Sequence, residues 1–231
     1  MNIRSNIEHL LPAQPCLLCG TASHHGVWCS ACDTSLPRLP AAHCPVCALP
    51  TWEGAICGHC LRRPPQFSRT VAPYAYAFPL DQLVQAFKFG ASLQLAHSLA
   101  GKLAECVKVM PDCIVPMPLH PVRLRERGFN QSLLLAHHLG DKLNIPVLPD
   151  ACQRVRNTAP QSALPWKERG KNMRKAFDCS AAVAGKHVAV VDDVMTTGAS
   201  LNELAHALRR AGASEVSTWV VARTLPHSGK R

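Results

Sequence analysis

Several common sequence features are missing or scarce in this chain. No run of apolar residues approaches the roughly 18 that a membrane-spanning helix needs, and the first residues, MNIRSNIEHLL, lack the apolar core of a secretory signal peptide. The P-loop motif GxxxxGK followed by Ser or Thr is absent, and so is the dinucleotide fingerprint GxGxxG. We therefore predict a cytoplasmic protein without membrane insertion that uses neither of these nucleotide sites.

Acidic residues are also scarce. The chain has 15 Asp and Glu against 25 Lys and Arg, which gives a formal net charge of +10. Between residues 121 and 175 there are eleven Lys or Arg and only four acids, so much of the excess lies in one window. Such a window suits a polyanion, either a multiply phosphorylated substrate or a nucleic-acid backbone. A solvated basic face is the structural alternative.

Cysteine, by contrast, is abundant near the amino terminus. Eight of the 12 cysteines form four CxxC pairs, and the second two pairs repeat the first two after 28 residues: Cys16, Cys19, Cys29, Cys32, Cys44, Cys47, Cys57 and Cys60. Four thiolates complete the tetrahedral shell that Zn²⁺ prefers. Because all four ligands in each copy would be protein sulfurs, we predict two structural zinc sites and no catalytic one.

Other arrangements of these cysteines remain open. One zinc per copy is the simplest pairing, but an interleaved arrangement that draws on both copies is also compatible with the spacing. Disulfides fit poorly because cytosolic thiols stay reduced, and redox chemistry needs one reactive CxxC pair and not four. The remaining cysteines are interpreted as small buried hydrophobes: Cys106, Cys113, Cys152 and Cys179.

The most informative stretch is KHVAVVDDVMTTGAS, at positions 186–200. Its β-branched run predicts a strand buried on both faces of a parallel sheet, with Asp192 and Asp193 at the carboxyl end, where ligands bind in such sheets. The following small and hydroxyl residues open a helix and predict a phosphate site. The two carboxylates would accept hydrogen bonds from sugar hydroxyls or hold Mg²⁺ through water. A strand ending in an acidic turn is the alternative.

Two further segments suit a phosphorylated ligand. Residues 119–131, LHPVRLRERGFNQ, read as a loop whose arginines would bind a pyrophosphate, with Gly128 allowing the backbone to come close and Asn130 capping the next helix. A basic turn with its arginines in water is the alternative. Residues 152–178 show no clear period and read as a functional loop that closes over substrate and excludes water.

The rest of the chain shows ordinary periodicity. Apolar residues at helical spacing predict helices from Leu80 to Gly90 and over 92–109 and 131–143. Short apolar runs predict strands over 113–117, 145–148 and 216–222, followed by a tail from Arg223.

These motifs resemble two known patterns. VVDDVMTTGAS is similar to the signature of type I phosphoribosyltransferases for phosphoribosyl pyrophosphate (PRPP), and with the CxxC pairs, RGFNQ and RNTAPQSALPWKERGKNMRKAF it resembles the ComF/GntX family. The resemblance implies a double zinc ribbon over 1–65 and an α/β, parallel-sheet phosphoribosyltransferase-like domain over 66–231. It also implies a link to natural competence or to the use of DNA as a nutrient.

The resemblance also implies site residues. Asp192 and Asp193 match the ribose-binding acids, and Arg127 with Gly128 matches the pyrophosphate loop. The 5-phosphate loop is matched by Met195, Thr196, Thr197, Gly198, Ala199 and Ser200.

Two functions follow from this sequence. In the first, PRPP and Mg²⁺ bind, an unidentified acceptor attacks the anomeric carbon, and Arg127 with Arg169 or Arg174 neutralises the departing pyrophosphate. In the second, the zinc ribbons and the basic window hold single-stranded DNA or a DNA-uptake component, and the PRPP pocket is a sensor or a relic. Only Trp28 and Trp52 are aromatic between Cys16 and Cys60, which is few for base stacking.

Overall fold

The computed structural model describes residues 14–23, 26–90, 93–156 and 175–226. Their helices and strands are, in chain order, β1 (Gln14–Pro15), β2 (Ala22–Ser23), α1 (Ser30–Ser35), α2 (Gly58–Arg62), β3 (Arg69–Val71), β4 (Tyr74–Ala75), α3 (Leu80–Phe89), α4 (Leu93–Ala104), β5 (Cys113–Pro116), α5 (Pro121–Arg127), α6 (Gln131–Leu143), β6 (Cys152–Arg154), β7 (Phe177–Cys179), β8 (His187–Met195), α7 (Ala199–Arg210) and β9 (Glu215–Arg223). Short 3₁₀ helices lie at Trp52–Gly54 and Ala181–Val183. None of the helices in these ranges is long and apolar enough to cross a bilayer.

Within these ranges, five parallel strands form the central sheet. Their order is β3, β9, β8 and β5, and β4 also pairs with β9. Strand β8 lies inside the sheet, and its residues 188–191 are fully buried because helices cover both faces. This confirms the predicted α/β architecture and the predicted position of the acidic pair at the carboxyl end of a central strand.

The side chains of β8 alternate between two hydrophobic cores. Ala189 and Val191 pack with α3, α4 and α6 on one face, whereas Val188 and Val190 pack with α7 on the other. The cysteine-rich segment contributes to both cores. Its first copy supplies Val27, Trp28 and Leu36 to the face with α4, and its second copy supplies Ala48 to the face with α7.

Two local predictions about the middle of the chain were wrong. Residues 121–127 form helix α5, where the sequence suggested an open loop, because Pro121 suits a first helical position and Gly128 ends the helix in the left-handed conformation (φ 81°). The predicted strand over 145–148 is reduced to one bridge between Ile114 and Val147. Pro146 has no N–H to donate, so a longer ladder cannot form there.

The cysteines outside the CxxC pairs differ from one another. Cys113 is buried in β5, as predicted, but Cys106 is exposed. Cys152 and Cys179 face each other across the antiparallel pair β6 and β7 and form a disulfide, so their interpretation as small buried hydrophobes was wrong. The sequence gives no local sign of this pairing, because the two cysteines lie 27 residues apart, at the two ends of the long segment that begins at Cys152.

Candidate phosphate and sugar site with two cysteine clusters

A cavity of about 1090 Å³ opens at the carboxyl end of β8. It brings together three segments that the sequence singled out separately, namely the acidic pair, the loop at 195–200 and the arginine-rich helix α5. Arg154, at the end of β6, also lines it. Two of the predicted cations, Arg169 and Arg174, lie outside the described residues.

The two carboxylates are held in different ways. Asp192 Oδ1 accepts hydrogen bonds from Ser132 Oγ at 3.0 Å and from the Asp193 backbone N–H at 2.9 Å. Asp193 Oδ1 accepts the backbone N–H of Val194 at 2.6 Å, and its Oδ2 lies 3.2 Å from Lys88 Nζ. Each carboxylate therefore has one oxygen fixed by the backbone, and both side chains line the cavity.

Burial dominates the electrostatics of this pair. Burial, and then the charge of Asp193, raise the pKa of Asp192 to about 7, although its hydrogen bonds act in the opposite direction. Burial alone would lower the pKa of Lys88, but the attraction of Asp193 raises it above its ordinary value. Lys88 therefore stays charged and partly compensates the acidic pair at neutral pH.

The loop after β8 has the geometry of an anion site. Gly198 adopts a left-handed conformation (φ 79°), which favours glycine, and an added Cβ would lie 3.0 Å from the flexible end of the Met195 side chain. The turn leads directly into α7, whose positive end faces the cavity, and Thr197 Oγ1 accepts the N–H of Ala199 at 3.1 Å. Backbone N–H groups at the start of a helix bind phosphate well.

The opposite wall of the cavity carries the cations. Arg127 Nη1 donates to Gln131 Oε1 at 2.9 Å, and Gln131 Nε2 donates to the Lys88 carbonyl at 3.2 Å. Gln131 is only 2% exposed and thus ties α5 to α3. Gly128 ends α5 and is not part of the cavity wall among the described residues, so its predicted contact with an anion stays a prediction.

Sequence reasoning missed several residues of this site: Lys88, Gln131, Ser132 and Arg154. One signal was available for Gln131 and Ser132, which begin α6 and are both buried. Buried polar side chains usually have a hydrogen-bond partner, so two polar residues at the start of an otherwise apolar helix face indicate a site. Nothing local marked the lysine on α3, whose role depends on how distant segments pack together.

The eight amino-terminal cysteines form two separate clusters. The sulfurs of each cluster lie within 4.8 Å of one another, and the clusters are Cys16, Cys19, Cys29, Cys32 and Cys44, Cys47, Cys57, Cys60. The structure therefore has the consecutive pairing and not the interleaved one. The repeat extends to the backbone, since the N–H of Cys29 and of Cys57 each donate at 3.3 Å to the first sulfur of their own cluster.

The spacing of the sulfurs fits zinc. Zn–S bonds of about 2.3 Å in a tetrahedron place neighbouring sulfurs about 3.8 Å apart. The distance from Cys19 Sγ to Cys29 Sγ is 3.7 Å, and that from Cys47 Sγ to Cys57 Sγ is 3.6 Å. Each cluster thus supplies the four sulfur ligands of a closed, structural zinc site.

Comparisons with known proteins agree with this description. Residues 7–61 match the family model described as a double zinc ribbon domain, and residues 130–230 match the phosphoribosyl transferase domain. The chain is thus a double zinc ribbon joined to a phosphoribosyltransferase-type domain. The DNA utilization protein YhgH of Salmonella typhi is 38% identical over 221 residues, which cover 91% of this chain and 97% of that protein.

Other relatives carry related names. Competence protein F of Haemophilus influenzae is 36% identical over 177 residues, covering 72% of this chain and 77% of that protein. The chain belongs to the ComF/GntX family of competence and DNA utilization proteins. Among solved structures, the Bacillus subtilis glutamine PRPP amidotransferase is 19% identical with a TM-score of 0.42, covering 59% of this chain and 30% of that one.

Proposed function

We propose that this protein binds PRPP together with Mg²⁺ and transfers its phosphoribosyl group to an acceptor in the handling of external DNA. The observation that carries the proposal is the placement of Asp192 and Asp193 at the end of β8, beside the glycine turn that opens α7. A phosphate site next to paired diol acceptors matches the two ends of a ribose 5-phosphate. The names of the relatives support the connection to DNA.

Different residues around the cavity would bind different parts of PRPP. The N–H groups of Thr196, Thr197 and Gly198 would hold the 5-phosphate. The two aspartates would hold the ribose hydroxyls, and Arg127 with Arg123 would hold the pyrophosphate on the opposite wall. The carboxylate oxygens also suit Mg²⁺, which prefers oxygen ligands and keeps several waters. When bound with the substrate, the ion would neutralise charge on the leaving pyrophosphate.

Bond breaking would then proceed by attack of the acceptor on the anomeric carbon as the bond to the pyrophosphate oxygen breaks. The electron pair goes to the pyrophosphate, where the guanidinium of Arg127 stabilises the developing charge. Gln131 holds that guanidinium at 2.9 Å, so the cation is already in place before the substrate arrives. Arg169 and Arg174 remain proposed further partners of the leaving group.

Calorimetric titration of PRPP with Mg²⁺ into the double variant Asp192→Asn, Asp193→Asn tests this proposal. We expect the heat of binding seen with the wild-type protein to disappear, while the zinc content stays the same. The matched control is Asp141→Asn with Asp150→Asn, two exposed aspartates away from the cavity, which should bind as the wild type does. Unchanged affinity in the first double variant would refute the assignment.

A second function, DNA binding by the zinc ribbons, rests on one exposed aromatic residue. Trp52 is 85% exposed beside the second cluster and is free to stack on a base. Trp28 is buried and donates its Nε1–H to Asp33 at 2.9 Å, which leaves it unsuited to that role. In this case the PRPP pocket would be a sensor or a relic.

DNA titrations separate the two functions. If the ribbons bind single-stranded DNA, its affinity should fall steeply with salt and survive the loss of both cavity aspartates. Trp52→Ala should weaken it, whereas Leu61→Ala, another exposed apolar residue of the same ribbon, should not. Salt-independent or absent DNA binding would remove this candidate.

A further inference from the structure

A buried arginine lies between the second cysteine cluster and the phosphate loop. Arg223 is the last residue of β9 and is only 3% exposed. The sequence suggested that it begins a tail, which was wrong. Among the described residues, no Asp or Glu is within ion-pair distance of its guanidinium. A buried charge without a counter-charge is costly, so the surroundings of Arg223 must compensate it in another way.

The guanidinium donates hydrogen bonds on two sides. On the side of the cysteine cluster, Arg223 Nε donates to the Cys47 carbonyl at 2.8 Å. On the side of the cavity, Nη1 donates to the carbonyls of Met195 at 2.9 Å, Thr224 at 2.8 Å and Thr196. One side chain therefore joins a metal-ligand turn to the first residues of the phosphate loop.

These contacts also set the direction of the loop amides. In a trans peptide the C=O and the following N–H point in opposite directions. Arg223 donates to the carbonyls of Met195 and Thr196, and the Met195 carbonyl also accepts the Thr224 N–H at 2.9 Å, so the N–H groups of Thr196 and Thr197 point away from Arg223. Both Thr196 and Thr197 line the cavity. Arg223 thus turns amide donors toward the place of the phosphate.

With zinc bound, the second cluster would supply the missing counter-charge. Zn²⁺ with four thiolates carries a net charge of about −2. Cys47, one of the four, is the residue whose carbonyl Arg223 holds, so the zinc-loaded cluster would place negative charge beside the guanidinium. Thr70 is a second connection between the turn of the second cluster and the phosphate loop. Its Oγ1 donates to the Val46 carbonyl at 2.6 Å and lies 4.0 Å from Met195 Sδ.

The first cluster has no comparable connection in the described part of the chain. Its neighbouring helix α1 is tied to α4 by Asp33, whose Oδ2 accepts from Lys102 Nζ at 2.9 Å, on the opposite face of the sheet. We infer that the second zinc site is a structural part of the phosphate loop, with Arg223 as the positioning residue that links them, and that the first zinc site is not. This inference rests on the proposed function only for the identity of the ligand.

Equivalent ligands in the two copies provide matched variants. Cys47→Ser and Cys19→Ser each remove the second cysteine of one cluster, and each should lower the zinc content from two ions to one. Two amides at the loop are hydrogen-bonded in the ligand-free protein, since Ala199 N–H donates to Thr197 Oγ1 and Thr224 N–H donates to the Met195 carbonyl. Hydrogen exchange of these two amides should become roughly tenfold faster in Cys47→Ser and stay unchanged in Cys19→Ser. PRPP affinity should follow the same order.

Variants of the arginine itself test the link while both zinc ligand sets stay intact. Arg223→Met should accelerate exchange of the same amides with two zinc ions still bound, and Arg223→Lys, which keeps the charge, should restore part of the protection. If Arg223→Met does not fold, Arg223→Lys by itself tests the inference, because exchange of the same amides should still be faster in that variant than in the wild type. Loop exchange equal to the wild type in Cys47→Ser or in the arginine variants would overturn the inference.

The same experiments separate this inference from the proposed function. If the wild-type protein shows no heat with PRPP and Mg²⁺, the proposed function fails, and the exchange rates still decide whether the second zinc site supports the loop. Equal acceleration in Cys19→Ser and Cys47→Ser would show a general loss of stability and would also overturn the inference.

Discussion

Replacing Asp192 with Asn should make the protein more stable, and increasingly so as the pH rises. The carboxyl group has a pKa of 3.8 as its reference value and about 7 in the folded protein, because burial and Asp193 disfavour its charged form. Between these values the folded protein holds a proton that the unfolded chain has released. The free energy of unfolding therefore falls as the pH rises through this range.

The size of the effect follows from the shift. At about 1.4 kcal/mol per pKa unit, the raised pKa of Asp192 lowers the free energy of unfolding by about 3 kcal/mol at pH 6, where mainly the unfolded chain is ionised, and by about 4 kcal/mol at pH 8. Asparagine has no charge to bury, and its Oδ1 can still accept from Ser132 and from the backbone of residue 193. The advantage of the variant should therefore grow by about 1 kcal/mol between pH 6 and pH 8.

Urea unfolding at pH 6, 7 and 8 with zinc present measures this difference. Trp219 is buried in the central sheet and should report the transition by its fluorescence. Asp150→Asn, at an exposed position, serves as the control and should give the same difference from the wild type at every pH. A stability gain for Asp192→Asn that is flat or shrinks toward pH 8 would show that folding does not raise the pKa of the Asp192 carboxyl.

Three further changes give independent tests. Ser132→Ala removes a hydrogen bond that lowers the pKa of Asp192, so the pKa of Asp192 should rise. In calorimetric titrations at several pH values, the pH at which PRPP binding is half-maximal should therefore move upward, and an unchanged value would contradict this. Gln131→Leu should weaken pyrophosphate binding measured by competition, because Arg127 loses its partner, and unaltered competition would argue against a positioning role. Gly198→Ala should lower the free energy of unfolding, measured in urea, by about 1–2 kcal/mol, because alanine disfavours the left-handed backbone at this position. An unchanged free energy of unfolding would show that the turn does not need glycine.

The sequence was sufficient where local chemistry decides the structure. The β-branched run before Asp192 predicts a strand buried on both faces, and Asn130 caps the next helix as expected, with its side chain accepting from the Ser132 N–H. The CxxC repeat likewise predicts two four-sulfur clusters, which the structure contains. In each case neighbouring residues carry the whole signal.

Prediction failed where distant segments meet. Lys88 reaches Asp193 only because α3 packs above the end of β8, and no pattern near either residue indicates this. Helix α5 was missed for a different reason. Its alternating arginines suggested an exposed loop, although the boundary residues Pro121 and Gly128 were those of a helix. Arg223 was read as part of a tail because its burial depends on the cysteine cluster beneath it.

The two copies of the cysteine repeat occupy opposite sides of the sheet, so they are no longer interchangeable. The apolar side chains of the first copy, among them Trp28 and Leu36, complete one layer, and Ala48 of the second copy completes the other. Deleting either repeat would leave one layer open to water. The two copies of the repeat thus pack differently, and a chimera carrying the first unit twice should fold poorly.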